Sequence, residues 1–474
     1  MELLERLDRH AASAGGQVAY GEVGGAGRQL SYAELAGLSR GMAAHLHAGD
    51  VVMVCLPNRI EYPVAFLGAL RAGCAVFPVS ADTTDAELVT LARQANASAI
   101  IGTQRACAAL AGVVSVAITP EEVLSHPDHA VESAGGDLLL CSSGTTGRPK
   151  IVVRDARSLD AVSANMVKGV GFGPDDRVLA VVPLCHSYGL EHGLLAPVWA
   201  GSGVRLCAGL DMNGVMAELT GGGVTMFPAV PSVYEMMCQQ GGDRRPTSLR
   251  KTYAAGAPLP ASVYEAFEAK FGVRIGQLYG ATEVGSVAFA DPDSAHFDAR
   301  SVGRAFDGVV LKVVDPTNRQ EVPTGSEGEV LIAAPSMFRG YLNQAEPATS
   351  DGFFATGDLG RVDEFGNLRI TGRLKLLVDV GGLKVNVLEV EELLSRHPSV
   401  AEAAVIGMPV TQTVSRLKAV VTARDPARPP VVEELRHFLR ERLTGYKVPR
   451  VIEVVPSLPR SASGKVLRRL LETP

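Results

Sequence analysis

Residues 31–79 run helix, strand, helix, strand, and no other feature of the chain limits its fold so strongly. Ser31-Tyr32-Ala33-Glu34 has the spacing of a capping box, with Ser31 as N-cap and Glu34 three residues on. The helix behind it would carry Leu35, Leu38, Met42 and Leu46 on one face. Val51-Val52-Met53-Val54-Cys55 reads as a buried strand. Residues 63–72 read as a helix ended by Gly73, and Ala75-Val76-Phe77-Pro78-Val79 as the next strand. Strand–helix units in succession favour a parallel sheet. The alternation continues through roughly the first 370 residues, which predicts an α/β architecture.

From about Ile332 turn residues and short strands dominate. The next long helical pattern is Val387-Leu388-Glu389-Val390-Glu391-Glu392-Leu393-Leu394. Strands are expected near residues 403–406 and 418–423, a helix across 431–443, and then a basic tail. The chain therefore divides into a large N-terminal domain of parallel or mixed sheets flanked by helices, residues 1–373, and a small α+β domain, residues 374–474. No long Pro/Ser linker lies between them, so a tight hinge is expected.

At 474 residues, 46% hydrophobic and 20% charged, this is a globular chain with room for a large core. A net charge of −6 gives no sign of a nucleic-acid binder. The acidic start, Met1-Glu2-Leu3-Leu4-Glu5-Arg6, does not suit a signal peptide. No run approaches the ~18 apolar residues of a membrane span. The seven cysteines (Cys55, Cys74, Cys107, Cys141, Cys185, Cys207, Cys238) are scattered and include no Cys-x-x-Cys. They read as small buried hydrophobes in a reducing cytoplasm, not as a zinc site.

The chemistry begins at Cys141-Ser142-Ser143-Gly144-Thr145-Thr146-Gly147-Arg148-Pro149-Lys150. Leu138-Leu139-Leu140 leads in and Ile151-Val152-Val153 leads out, so the loop lies between two strands. Glycines let backbone N–H groups approach an anion, hydroxyls add donors, and Lys150 adds a point charge. A polar turn would use the same residues. A P-loop would not: it needs Gly, four residues and then Gly-Lys-Ser/Thr opening a helix, whereas Gly147 is followed by Arg148-Pro149-Lys150 and a strand.

Four more motifs follow in order: Gln277-Leu278-Tyr279-Gly280-Ala281-Thr282-Glu283, Thr356-Gly357-Asp358, Gly372-Arg373-Leu374-Lys375 and Pro459-Arg460-Ser461-Ala462-Ser463-Gly464-Lys465. Each alone is an ordinary turn or a solvated charge. Together, and with Leu56-Pro57-Asn58 through the stretch 65–73, they resemble the acyl-adenylate-forming superfamily: acyl- and aryl-CoA ligases, adenylation domains of peptide synthetases, and luciferases. The resemblance runs from Leu30 to Arg469.

The resemblance implies ATP, Mg2+ and a thiol acceptor, either CoA or phosphopantetheine. Ser142, Ser143, Gly144, Thr145, Thr146, Gly147 and Lys150 would hold the β- and γ-phosphates. Glu283 would be the magnesium ligand, together with Thr145, and Thr282 would donate to the α-phosphate. Gly256, Ala257, Pro258, Tyr279 and Gly280 would wall the adenine; Asp358 would accept from the ribose hydroxyls, and Arg373 would be a second nucleotide contact. Lys465 would be the catalytic lysine, placed where charge gathers between the carboxylate and the α-phosphate; losing such a donor costs roughly 3–4 kcal/mol of transition-state stabilisation. Lys375 falls at the hinge about which the small domain turns between adenylation and thioester formation. The small domain carries Lys465; the large one would bind ATP and acid.

Three departures concern the subfamily rather than the reaction. Residues 151–155, Ile-Val-Val-Arg-Asp, replace the usual Gly-Val-x-x-x-His; Val387 replaces a common proline; and Ser415-Arg416 replaces the usual Gly-Glu.

The acid is read from Pro183-Leu184-Cys185-His186-Ser187-Tyr188-Gly189-Leu190. Amino-acid adenylation domains carry an aspartate here to pair with the substrate ammonium. His186 in its place implies an acid without an α-amino group, although nearby Glu191 could bind an amine placed elsewhere. The implied pocket is His186, Ser187, Tyr188, Phe227, Ala255, Leu278 and Gly280, which suits a small aryl or short to medium acyl group.

The acceptor is CoA or, as a rival, an acyl carrier protein; Arg436, Arg440, Arg442, Lys447, Arg450, Arg468 and Arg469 would suit either. Because the chain ends soon after Lys465, a free-standing enzyme is expected. The reading from another class is a nucleotide-binding scaffold that has lost catalysis, and Thr145, Glu283, Asp358 and Lys465 together argue against it.

Overall fold

The computed structural model describes every residue except 25–26, 132, 143–149, 241–243, 345–348, 381–382, 410–414, 461–465 and 472–474. Contacts divide it into two compact units: Met1–Leu311 with Ile332–Phe354, and Lys312–Leu331 with Ala355–Pro474. The expected boundary at 373/374 falls inside the second unit, where the Leu368–Arg373 strand runs into a 3-10 turn at Leu374–Leu376.

The first unit is built on two mixed sheets. In one, Val116–Ile118, Ala99–Gly102, Val51–Cys55, Ala75–Pro78 and Leu138–Ser142 run parallel, and Lys150–Arg154 and Gly340–Tyr341 close the edge antiparallel. In the other, Val18–Glu22, Gly203–Leu206, Arg177–Ala180, Met226–Ala229, Lys251–Ala254 and Ile275–Ala281 are parallel. The antiparallel Gly285–Ala290 strand returns along Ile275–Ala281.

The strand–helix reading of 31–79 holds in detail. Ser31 caps the Tyr32–Ala43 helix with both bonds of the box present. Leu35 and Met42 are fully buried on its face, Leu38 is half-buried, and Leu46 lies beyond the helix end. The second helix is Glu61–Arg71, buried along its whole length. That burial includes Arg71, whose guanidinium meets Asp8 at 2.6 Å and also reaches Ser39 and Ser133. Gly73 then takes φ +79°, a left-handed stop that glycine reaches without strain.

Two cores flank the sheets: Met53, Phe77, Ile100, Leu139 and Ile151 in one, and Phe227, Tyr234, Phe267, Phe271 and Ile275 in the other. Not foreseen are two π-helical turns, Val167–Gly171 and Glu191–Leu195.

In the second unit residues 358–362, the end of the Phe353–Val362 strand, pair antiparallel with Leu368–Arg373. Beyond them the helices Val387–Ser395 and Val432–Arg440 pack on the strands Val400–Pro409, Ser415–Ala423 and Val451–Val455 around Val390, Leu394, Val405, Val421, Leu435 and Leu439. The two helices and the first two strands match those expected there; the Val451–Val455 strand lies in what was read as a basic tail.

All seven cysteines are free thiols. Cys55, Cys74, Cys185 and Cys207 are buried as expected, and burial pushes their pKa values up to about 11–12. Cys141 departs from that reading: it is exposed, one residue before the end of the strand that enters the phosphate loop. Among the described residues no helix is long and apolar enough to cross a membrane.

Candidate active site

The expected phosphate loop joins two strands, as its flanking residues indicated. Leu138–Ser142 and Lys150–Arg154 pair antiparallel with Ser142 opposite Lys150. Ser143, Gly144, Thr145, Thr146 and Gly147 lie outside the described residues, as does the side chain of Ser142. Lys150 is described, and its ammonium lies 4.5 Å from the centre of the Tyr341 ring.

Thr282 and Glu283 occupy the turn between Ile275–Ala281 and Gly285–Ala290. Both are half-buried. A segment returning from far along the sequence holds this turn. Ser336 donates its hydroxyl to the Val284 carbonyl at 2.6 Å, Phe338 N–H bonds the Glu283 carbonyl at 2.8 Å, and Tyr341 donates its hydroxyl to Glu283 Oε1 at 3.1 Å. The same segment is the edge strand beside the phosphate hairpin, with Tyr341 opposite Val152. Arg339 and Leu342 N–H groups bond the carbonyls of Val153 and Ile151 at 2.8 and 2.7 Å. Residues 336–342 thus join the two sheets where Lys150 and Glu283 project.

Below the same hairpin lies a buried polar network. Arg154 and Glu191 are both buried and pair at 2.7 Å. Glu191 Oε1 also accepts from Ser187 Oγ at 2.8 Å, and Oε2 accepts from Ser286 N–H and Oγ at 2.9 and 2.6 Å. Burial alone would raise the Glu191 carboxyl; the Arg154 charge and the Ser286 hydrogen bonds overcome it and hold it below the usual range. Gly285 has φ +72°, and a Cβ there would come within 2.9 Å of Arg154 and 3.1 Å of Glu191, so only glycine suits the position. His192, the next residue of the π turn, contacts Tyr253 Oη at 2.7 Å through Nδ1 and Ser286 Oγ at 3.4 Å through Nε2. Burial pushes its pKa down to about 3, so it is neutral near pH 7.

His186 immediately precedes the short Ser187–Leu190 helix, and its carbonyl accepts from Leu190 N–H. Tyr188 donates its hydroxyl to the carbonyls of Tyr253 and Ala229 at 3.1 and 3.3 Å. Parallel pairing sets Ala229 beside Ala254 and Ala254 beside Gln277. Ala255, Gly256, Ala257 and Pro258 follow the end of the Lys251–Ala254 strand, and Leu278, Tyr279 and Gly280 continue the Ile275–Ala281 strand beyond that pairing. This is the carboxyl edge of parallel strands, where open α/β sheets bind ligands. Gly256, Ala257 and Pro258 are exposed, and Ala255, Leu278 and Tyr279 are buried.

Phe227, expected in the acyl pocket, has most of its contacts in the core. It is fully buried, edge-on to Tyr234, in the core that includes Phe267 and Phe271.

In the second unit Asp358 and Arg373 face each other across neighbouring strands, with Arg373 Nε 2.6 Å from Asp358 Oδ1. Asp358 is 3% exposed, and its backbone N–H bonds Thr356 Oγ1 at 3.0 Å. Lys375 is exposed in the 3-10 turn that follows. Lys465 lies outside the described residues.

Comparison with known proteins matches residues 7–342 to the AMP-binding enzyme family and residues 389–465 to the AMP-binding enzyme C-terminal domain. The chain is 32% identical to a sulfoacetate–CoA ligase of Cupriavidus necator, over 90% of this chain and 88% of that protein. It is 31% identical to 4-coumarate–CoA ligase 5 of Oryza sativa subsp. japonica, over 91% and 87%. Among solved structures it superposes on ATP-bound MatB from Rhodopseudomonas palustris with a TM-score of 0.92 at 28% identity, covering 99% of this chain and 98% of that one. Its TM-score to the o-succinylbenzoate CoA synthetase of Bacillus subtilis, bound to its acyl-adenylate intermediate, is 0.89 at 25% identity, with the same coverage. The chain belongs to the AMP-binding enzyme family and is an AMP-forming acid–thiol ligase.

Proposed function

We propose that the acid is an aryl or short to medium acyl carboxylate without an amino group, and that the acceptor is CoA. The observation that carries this is the state of Glu191. Two carboxylate oxygens offer about four lone-pair sites. Arg154, Ser187 and Ser286 supply four donors to them, which leaves no acceptor for a substrate ammonium. Arg154 is neutralised in the same pair and His192 is neutral, so neither offers a free charge to a second anionic group on the acid.

Both reactants of the first step are anions, so fixed positive charge and positioning are what the protein must supply. Lys150 and the hydroxyls of 142–147 would take the β- and γ-phosphates, Thr282 the α-phosphate, and Asp358 with Arg373 the ribose and its surroundings. Lys465 would neutralise charge between the attacking oxygen and the α-phosphate. Glu283 fits a magnesium ion, since a hard cation held by one carboxylate and phosphate oxygens is the usual arrangement. When bound, that ion would offset the charge on the departing pyrophosphate.

For the acceptor, the basic residues of the C-terminal region would suit an acidic carrier only if their charge faced outward uncompensated. Arg436 pairs with Glu433, Arg442 with Glu441, Lys447 with Glu389 and Arg468 with Glu391. That pairing weakens the case for a carrier, and the relatives named above are CoA ligases. Lys375 is the proposed pivot; Lys375→Pro should slow thioester formation more than adenylation.

Pyrophosphate release over a panel of aryl, medium-chain, dicarboxylic and α-amino acids, with thioester products read by mass, tests the reading. The strongest signal should come from an aryl or simple acyl acid with CoA. An α-amino acid as the best substrate would overturn it.

A further inference from the structure

We propose that Tyr341 is a positioning residue that holds Glu283 and Lys150 in a fixed mutual geometry, using a different part of its side chain for each. The inference rests on reading Glu283 as the magnesium ligand and Lys150 as a phosphate contact.

Three observations carry it. The Tyr341 hydroxyl donates to Glu283 Oε1 at 3.1 Å, which fixes one carboxylate oxygen and orients the other. The face of the same ring lies 4.5 Å from the Lys150 ammonium, within cation–π range. The ring itself has little freedom: Phe338 packs edge-on at 5.1 Å, Phe338 is in turn edge-on to Phe354 at 5.5 Å, and the Tyr341 backbone is pinned opposite Val152. Glu283 and Lys150 belong to different sheets, and neither sheet alone sets their separation. One rigid side chain touching both does so before ATP arrives, as preorganisation requires.

The two contacts are separable. Tyr341→Phe removes the hydroxyl bond and keeps the ring under Lys150; Tyr341→Leu removes both. The measurement is binding without turnover: Mn2+ titrated into the full-length enzyme with ATP and no acid, followed by calorimetry, and ATP titrated in EDTA. Tyr341→Phe should weaken Mn2+ binding to the enzyme–ATP complex about threefold to tenfold, the size of one hydrogen bond, and leave ATP affinity in EDTA unchanged. Tyr341→Leu should weaken metal-free ATP binding as well. In a Glu283→Gln background Tyr341→Phe should have no further effect on Mn2+, because it acts through that carboxylate.

A wild type that binds Mn2+ no better than Glu283→Gln would remove the reading of Glu283 and this inference with it. A wild type that binds better, with Tyr341→Phe unchanged from it, would remove the inference alone. So would equal, parallel losses of Mn2+ affinity, metal-free ATP affinity and melting temperature in both variants, the mark of a merely structural role.

Discussion

Glu191 and Glu283 serve the same hairpin, one bonded to Ser286 on its outgoing strand and the other in its turn, and are built for opposite ends. Glu191 is 1% exposed and both of its oxygens are saturated by donors. Glu283 is at the tip, half-buried, with Oε1 accepting from Tyr341. A carboxylate that must meet a cation keeps acceptor capacity; one that must hold a turn gives it up. By that test the network around Glu191 is a foundation for the strand that leads out of the catalytic turn, and burial with charge does not make it a substrate site.

The largest expected effect tests the foundation. Arg154→Met leaves the Glu191 carboxylate buried without its counter-charge and should cost about 3–5 kcal/mol in urea denaturation. Adding Glu191→Leu should recover most of that, since an apolar pair of similar volume is often neutral or better. If Arg154→Met were stable and simply changed which acids are accepted, the contrast between the two glutamates would fail.

Glu283→Gln should do the reverse. We expect pyrophosphate exchange to fall on the order of 10²–10³-fold, with stability within about 0.5 kcal/mol of the parent. A large stability loss there would make Glu283 a second structural carboxylate.

Acid should find the foundation before the tip. His192 is held neutral with a folded pKa of about 3, against 6.5 when unfolded, so the unfolded chain binds the extra proton between those values. Stability from this group is fully present above pH 6.5 and is lost as pH falls toward 3, by at most about 1.4 kcal/mol per unit. Glu191, also depressed, adds loss in the same direction at lower pH. His192→Asn should flatten the profile between pH 6.5 and 5; an unchanged slope would place the acid sensitivity elsewhere.

The smallest effect concerns Ser187, which the sequence assigns to the acyl pocket and whose hydroxyl bonds Glu191. Ser187→Ala should cost about 1 kcal/mol of stability and leave the KM for the acid nearly unchanged. A large KM change would return it to the substrate.

The difference between these residues also marks what could be read from the chain. Strands and helices at 31–79 and beyond 387 were legible because caps and apolar periodicity act locally. The motifs around Glu283 and Asp358 were legible because their chemistry needs certain residue types close together in sequence. Partners across the fold were not: Tyr341 lies 58 residues from Glu283, and Arg154 lies 37 from Glu191. Arg154 was visible as a departure from the family pattern, but nothing local says that it ends beneath the hairpin. The packing of Phe227 against Tyr234 was not legible either, because an apolar strand buried on both faces does not show which face a given ring takes.

The joint formed by residues 336–342 has a consequence for how the protein is made. The phosphate hairpin and the Glu283 turn are complete in sequence by Gly285, yet the segment that ties them together comes more than fifty residues later, after the chain has contributed Lys312–Leu331 to the other unit. During synthesis from the N-terminus, the first unit can assemble its parallel strands while its nucleotide side is still unfastened. The same holds for any fragment ending before Ser336. Such a piece would have the motifs by which the protein is recognised and would lack the latch that aligns them.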